Sequence, residues 1–318
     1  MNTQAALPSN VQLDAASAYG WEQLNETAFL TRCFVTLARE LPCFSSWRFF
    51  VFSSHQPEAV PASAALPGDD KVLIAISDES PSISATLALQ AHYRHIFKAY
   101  LPRELLGSRV YPFHPGVVGA VPQLAVRPFA ERSLDVFFAG NLNPNRLPLY
   151  CALHPLLRHL SPALARSLVR RMPRRLRRHS LDRLADPALG RTSLLFSDGF
   201  RRGLAPAAYA GLLHDSRIVL CPRGFSSSET FRHMEALRAG AVVVSEPLPD
   251  TTFYRGSPIV TVPDWRTGYL VIQQLLADPA ALLERHQASL AWWNSHCSEQ
   301  ATARYLAKRL RAEPIDCC

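Results

Sequence analysis

Short β-branched runs alternate along this chain with longer stretches of helical period. Ala28 to Leu41 has the spacing of a helix, Trp47 to Phe52 and Val72 to Ile76 read as strands, Leu87 to Tyr100 again has helical spacing, and Ser108 to Tyr111 is a short strand ended by Pro112. Residues 117–128 hold two prolines and few charges, the composition of a linker. Strands then recur from Leu134, at Leu194 to Ser197, Ile218 to Cys221, Ala241 to Val244 and Ile259 to Val262. Helices separate them, including Pro206 to Leu213, where proline suits the first helical position, and Thr267 to Leu276. Ala280 to Arg311 reads as helix around Trp292 and Trp293. This alternation predicts an α/β chain of two domains, residues 1–128 and 129–318.

The sharpest local pattern runs from Arg217 to Ser245 and reads strand, glycine turn, helix, glycine stop, strand. Ile218 to Cys221 suits a buried parallel strand, and Pro222 and Gly224 break it. Ser226, Ser227 and Ser228 offer hydroxyl caps to a helix expected to open at Glu229 and close at Gly240. Such a unit turns free helix N–H groups toward the crevice beyond the strand ends, a setting that favours diphosphate.

Three segments here, Cys221-Pro-Arg-Gly224, Glu229-Thr-Phe-Arg232 and Glu235-Ala-Leu-Arg-Ala-Gly240, resemble the signature of exostosin-like glycosyltransferases. The resemblance runs from Leu134 to Trp265, beginning at Asp135-Val-Phe-Phe-Ala-Gly140 and ending at Val262-Pro-Asp-Trp265. It departs in the strand after Gly240, where the family often has proline and this chain has Val242-Val-Val244. His95-Ile-Phe-Lys-Ala-Tyr100, followed by Arg109 to Gly116, resembles the acceptor half of such enzymes, where a helix precedes a proline–glycine turn. The resemblance implies GT-B glycosyltransferase architecture: two Rossmann-like domains facing a cleft, a nucleotide-sugar donor in the second, and a C-terminal helix that packs back across. It also implies transfer to a polysaccharide, lipopolysaccharide or other glycan acceptor. A carboxylate at Glu235 would accept the donor's ribose hydroxyls.

Glycosyl transfer requires neutralising a diphosphate leaving group, by a metal or by arginines and helix N–H groups. No D-x-D follows a strand, so a metal-independent enzyme without cofactor is expected. Arg223 in the turn and Arg232 one turn into the helix are the diphosphate candidates; Arg232 equally suits an ion pair with Glu229 or Glu235. Gly224 offers close backbone approach or a positive φ, and Ser227 and Ser228 are donor contacts or simple caps. Glu246 lies just beyond a strand end, and Pro247 to Gly256 resembles a lid carrying Tyr254 and Arg255. Asn141, Asn143 and Arg146 follow Gly140 at the mouth of another strand. For the base that takes the acceptor proton, Asp78, Glu79 and His114 are candidates, each equally readable as a solvated loop residue.

The formal charge of +8 is mostly arginine, and seven arginines fall between Arg166 and Arg178 without an acidic residue. Leu164, Leu168, Met172 and Leu176 predict one apolar stripe on that helix, with Pro173 kinking or splitting it. Arg170, Arg171, Arg174 and Arg175 then form either a solvated face or a surface for an anionic membrane or an anionic, lipid-linked glycan. No motif supports a nucleic-acid partner. Seven scattered cysteines show neither metal spacing nor a disulfide framework, and Met1 to Pro8 lacks a basic-then-apolar leader. A cytoplasmic protein, peripheral on the membrane at most, is expected. Two other readings stay open: a nucleotide-sugar epimerase on the same scaffold, and a non-catalytic glycan- or membrane-binding module.

Overall fold

A computed structural model describes residues 6–13, 25–52, 66–76, 79, 82–173, 179–182, 186–199 and 202–313. The chain divides into two compact units, one made of Met1–Gly119, Pro249–Gly256 and Trp293–Cys318, the other of Ala120–Leu248 and Ser257–Trp292. This differs from the expected consecutive halves, because the C-terminal segment and a piece of the proposed lid belong to the first unit. Strands are β1 (Val11–Leu13), β2 (Arg48–Phe52), β3 (Lys71–Ala75), β4 (His95–Lys98), β5 (Val110–Pro112), β6 (Leu134–Asn141), β7 (His179–Ser180), β8 (Thr192–Ser197), β9 (Ser216–Cys221), β10 (Val242–Ser245) and β11 (Val260–Thr261). Helices are α1 (Thr27–Glu40), α2 (Ile83–Ala88), α3 (Leu147–Leu153), α4 (Pro162–Arg171), α5 (Pro206–His214), α6 (Phe231–Arg238), α7 (Trp265–Ala277), α8 (Pro279–Trp292) and α9 (Glu299–Ala312).

The first unit is built on a parallel sheet in the order β1-β2-β3-β4-β5. That order follows the chain without reversal, so its described strands contain no switch point of the kind that seats ligands in open α/β sheets. The predicted helix from Leu87 to Tyr100 is half wrong. Helix α2 and a single 3-10 turn end by Ala91, and His95 to Lys98 forms a strand. Those four residues are all buried between β3 and β5, where an extended run satisfies its backbone on both sides. Helix α1 buries Phe29, Leu30, Cys33, Phe34 and Leu37. It packs on α9, and Arg32 meets the nearly buried Glu299 at 2.7 Å. The expected single helix from Ala280 to Arg311 is instead α8, a π-turn over Trp293–Cys297, and α9 capped by Ser298.

The second unit holds six strands ordered β11-β10-β9-β6-β8-β7, all parallel except the short edge pair β7–β8. Ile218 to Cys221 and Val242 to Val244 are buried throughout, as uninterrupted apolar runs covered on both faces should be. Helix α6 stops where expected. Gly240 has φ +72°, and a Cβ there would come within 2.8 Å of His286 and Leu290, so the turn requires glycine. The buried Arg132 guanidinium donates to the carbonyls of Ser216 and Ala239, tying the start of β9 to the end of α6.

Helix α4 corrects the reading of the arginine segment. It ends at Arg171, before Pro173, and its buried positions are Ala165 and Val169. Leu164 and Leu168 are 50% and 45% exposed, so the predicted apolar stripe faces outward. Leu176, Arg174 and Arg175 lie outside the described residues. Cys33, Cys151, Cys221 and Cys297 are buried free thiols. Cys43 is disulfide-bonded, against the expectation of no disulfide framework. Among the described residues no helix is long and apolar enough to cross a membrane.

Candidate functional site

The strand order of the second unit reverses at β6. The chain steps from β6 to β8 on one side, and later enters β9 on the other. The crevice between the loops after β6 and β9 is therefore the place where an open α/β sheet binds a ligand. Those loops are stitched together. Asn143 Oδ1 accepts the Arg146 N–H at 3.1 Å and shapes a turn with Pro144 at its first position. Within that turn Asn145 Nδ2 donates to the carbonyls of Gly224 at 2.9 Å and Phe225 at 2.7 Å. Arg146 Nε reaches the Arg223 carbonyl at 3.3 Å, and its Nη1 donates to both oxygens of Asn141. Arg232 donates to the Ala139 carbonyl and stacks over the Phe138 ring at 5.0 Å. Both guanidiniums converge on Gly140, where a Cβ would stand 3.0 Å from Arg146 Nη1 and Arg232 Nη2. Glycine at that strand position is what lets them approach.

The start of α6 is fixed by a second network. Thr230, not a serine, is the cap, and it forms a capping box with His233. Burial pushes the His233 imidazole down to about 3, so the ring is neutral. The tautomer that accepts the Thr230 N–H at Nδ1 carries its proton on Nε2, which donates to Ser245 Oγ at 2.7 Å. Ser245 Oγ in turn lies 3.1 Å from the Cys221 carbonyl and 2.9 Å from that of Glu246. The ends of β9 and β10 and the first turn of α6 are thus wired through one buried imidazole.

At the loops after β6, β9 and β10 opens a cavity of about 700 Å³. Its walls are Pro144, Asn145 and Pro148 after β6, Arg223 after β9, Glu246 after β10, and Ala163, Arg166, Ser167, Arg170 and Arg171 from α4. Four guanidiniums and one carboxylate line it. Glu246 Oε2 accepts the Arg223 N–H at 2.7 Å, which fixes the turn; the Arg223 side chain is exposed, and its Nη2 donates to the Ser226 carbonyl at 3.5 Å.

The residues named from sequence separate into groups. Arg223 and Glu246 line the cavity, together with Arg170 and Arg171, which sequence reading had placed on a distinct surface. Asn141, Arg146 and Arg232 are not among its lining: Arg146 donates to both oxygens of Asn141, and Arg232 Nη2 donates to the Ala139 carbonyl. Gly224 is buried, donates to the Ser227 carbonyl at 2.7 Å and is not among the glycines with positive φ. Ser227 Oγ accepts the Glu229 N–H within the turn, and Ser228 is half-buried beside it; neither caps the helix. Glu229 is buried in the loop before α6. Glu235 is 4% exposed and accepts the Tyr209 hydroxyl at 2.8 Å, which turns it into the core and away from the cavity lining.

Of the base candidates, Asp78 lies outside the described residues and Glu79 is half-buried beyond β3. His114 is buried between the rings of Phe113 and Phe253, each with its centroid 5.1 Å away. Its Nδ1 accepts the Gly116 N–H at 3.1 Å and its Nε2 bonds Thr302 Oγ1 at 2.9 Å. The lone pair a base needs is already engaged, so His114 is a packing residue.

Sequence reasoning missed Asn145, Arg166, Ser167 and the Thr230–His233–Ser245 network. Asn143-Pro-Asn-Arg146 directly after a strand carried a legible turn signal. The pairing of α4 with the Arg223 turn is tertiary and left none. Among the described residues no group of three or more His, Cys, Asp or Glu side chains is placed to hold a metal ion.

Neither a protein-family model nor a curated protein matches the chain. Solved structures similar to it include Anabaena Alr3699/HepE in complex with UDP-glucose, at 12% identity and a TM-score of 0.43, over 90% of this chain and 77% of that one. Sucrose-phosphate synthase from Thermosynechococcus elongatus is similar at 13% identity and a TM-score of 0.41, over 89% and 71%. Acinetobacter baumannii MurG is similar at 9% identity and a TM-score of 0.39, over 95% and 84%.

Proposed function

We propose that this protein is a glycosyltransferase that moves a sugar from a nucleotide-sugar donor to a glycan acceptor, of the exostosin-like kind that its sequence motifs resemble. The observation that carries the reading is the arginine-lined cavity at the β6/β9 switch point, because a diphosphate requires fixed positive charge where an α/β sheet opens. Arg223 grips the donor diphosphate, and Glu246 beside it accepts hydrogen bonds from hydroxyls of the ribose or sugar. Arg146, Arg232, Asn141 and Asn145 hold the loops that position these groups. In transfer, an acceptor hydroxyl oxygen bonds the anomeric carbon. The bond from that carbon to the diphosphate breaks, its electron pair leaves with the diphosphate, and the hydroxyl proton passes to a carboxylate, for which Glu79 and Asp78 are the proposed bases. Arginine charge replaces a metal in this scheme. The acceptor is a polysaccharide, lipopolysaccharide or lipid-linked glycan, and the enzyme works in the cytoplasm.

Thermal shift with UDP, GDP, CDP and ADP, each with and without EDTA, tests the reading. Binding to the folded state stabilises it by RT ln(1 + [L]/Kd), so one nucleotide at saturation raises the melting temperature, and EDTA leaves the rise intact. Arg223→Ala removes most of the rise while the unliganded melting temperature falls little, since the Arg223 backbone makes the bond to Glu246 and the exposed guanidinium makes a long one of 3.5 Å to the Ser226 carbonyl. No rise with any nucleotide rejects the donor site, and a rise abolished by EDTA rejects the metal-free scheme.

A further inference from the structure

The arginines of α4 are not a flat surface patch. Ala163, Arg166, Ser167 and Arg170 follow the spacing i, i+3, i+4, i+7, so they form one face of the helix, and that face is a wall of the cavity that Arg223 closes from the opposite loop. Ala165 and Val169 form the face turned to the core, and Leu164 and Leu168 the face turned to solvent. The helix therefore turns Arg166 and Arg170 away from its exposed leucines, with Arg171, seven residues after Leu164, at the edge between the two faces.

The cavity carries four arginines against one carboxylate, a formal balance of +3 (four minus one). A nucleotide-sugar diphosphate brings about two negative charges, and Arg223 with the adjoining loops already faces it. Arg166, Arg170 and Arg171 line the α4 side of the same cavity. We infer that this wall, Arg166, Arg170 and Arg171, is a second anion subsite that binds a phosphate or diphosphate group on the acceptor, so that the acceptor is a phosphorylated glycan or a glycan linked through diphosphate to a lipid. The inference rests on the glycosyl-transfer reading for the word acceptor. The subsite itself rests on the cavity alone. Arginine forks suit phosphate oxygens, and Ser167 between Arg166 and Arg170 adds a hydroxyl donor on the same face.

Inorganic pyrophosphate is the probe, titrated calorimetrically into the whole protein alone and with its preferred nucleoside diphosphate at saturation. The wild type binds pyrophosphate in both cases, because the second subsite stays open beside the nucleotide. Arg166→Gln/Arg170→Gln weakens pyrophosphate binding with nucleotide present by about tenfold or more. Arg39→Gln/Arg285→Gln, which removes the same charge from two other exposed positions, changes it less than about threefold. Complete exclusion of pyrophosphate by the nucleotide overturns the proposal, since it means one anion subsite only. Equal weakening in both double variants overturns it as well, as a general field effect. So does a salt-sensitive partition onto phosphatidylglycerol vesicles, absent on phosphatidylcholine and lost in Arg166→Gln/Arg170→Gln, when pyrophosphate itself does not bind. If no nucleotide binds but pyrophosphate still depends on Arg166 and Arg170, the anion subsite stands and the donor reading alone fails. A phosphorylated monosaccharide that displaces pyrophosphate as well as a diphosphate-linked lipid does places recognition in the phosphate and not in the lipid.

Discussion

Asn145→Ala cuts the stitching between the two loops at the switch point with little other damage. The side chain is half-buried, and its amide donates two bonds, of 2.9 and 2.7 Å, to the carbonyls of Gly224 and Phe225. A neutral hydrogen bond contributes about 0.5–1.5 kcal/mol net, and partial exposure lets water replace some of that, so the pair is worth about 1–2 kcal/mol. Asn145 does not set the turn it sits in, because Asn143 and Pro144 do, and they remain. The loss therefore falls on the segment 222–230, which carries Arg223. In urea denaturation the variant loses about 1–2 kcal/mol of stability, seen as a lower midpoint at an unchanged slope. Hydrogen exchange quickens at amides 223 to 229 and stays as in the wild type in β6 and β9, since the sheet ladders are untouched. Asn145→Asp is worse than Asn145→Ala, for it points a carboxylate at two carbonyl oxygens. A variant whose stability changes by less than about 0.3 kcal/mol, with unchanged exchange in the loop, would refute the claim that Asn145 ties the loops.

Three more outcomes follow from the geometry. Burial holds His114 at about 3, below its unfolded value near 6.5, so its stabilising effect is whole above pH 6.5 and is lost as pH falls toward 3; at pH 5 that is about 2 kcal/mol, and a His114→Gln variant measured by denaturation at pH 7 and pH 5 should lose that part of the pH dependence. Tyr209→Phe removes the hydroxyl that donates to the buried Glu235 and costs about 1.5–3 kcal/mol by denaturant unfolding, whereas a cost under about 0.5 kcal/mol would show the pair to be incidental. Leu164→Gln/Leu168→Gln leaves stability within about 0.5 kcal/mol, while Val169→Ala in the same helix costs about 1–2.5 kcal/mol; the reverse ranking would restore the apolar stripe read from sequence.

The pattern of short apolar runs located most of the strands of the second unit to within a residue or two, since continuous β-branched segments such as Val242 to Val244 are legible without context. His95 to Lys98 was misread because a short buried run carries no period that separates strand from helix; only its place between β3 and β5 decides. The leucines of α4 misled for a related reason. Their four-residue spacing is genuine, but Ala165 and Val169 offer the same spacing, and the smaller side chains are the ones that fit against the core. At the site, Arg223 and Glu246 were legible from their positions just past strand ends. Glu235 was not, since the partner that turns it inward, Tyr209, lies on another helix. Arg166 was invisible as a cavity residue because only the fold brings α4 and the Arg223 turn to the same cavity.

The most direct test of the central claim is calorimetric titration of UDP-, GDP- and CMP-sugars into the wild type and Arg223→Ala in the presence of EDTA, with release of free nucleotide followed in the same samples. The account predicts that one donor class binds the wild type and is slowly hydrolysed. It also predicts that Arg223→Ala, still folded, binds that donor roughly tenfold to a hundredfold more weakly. Binding of none of these donors by the wild type, or equal binding by Arg223→Ala, would contradict it.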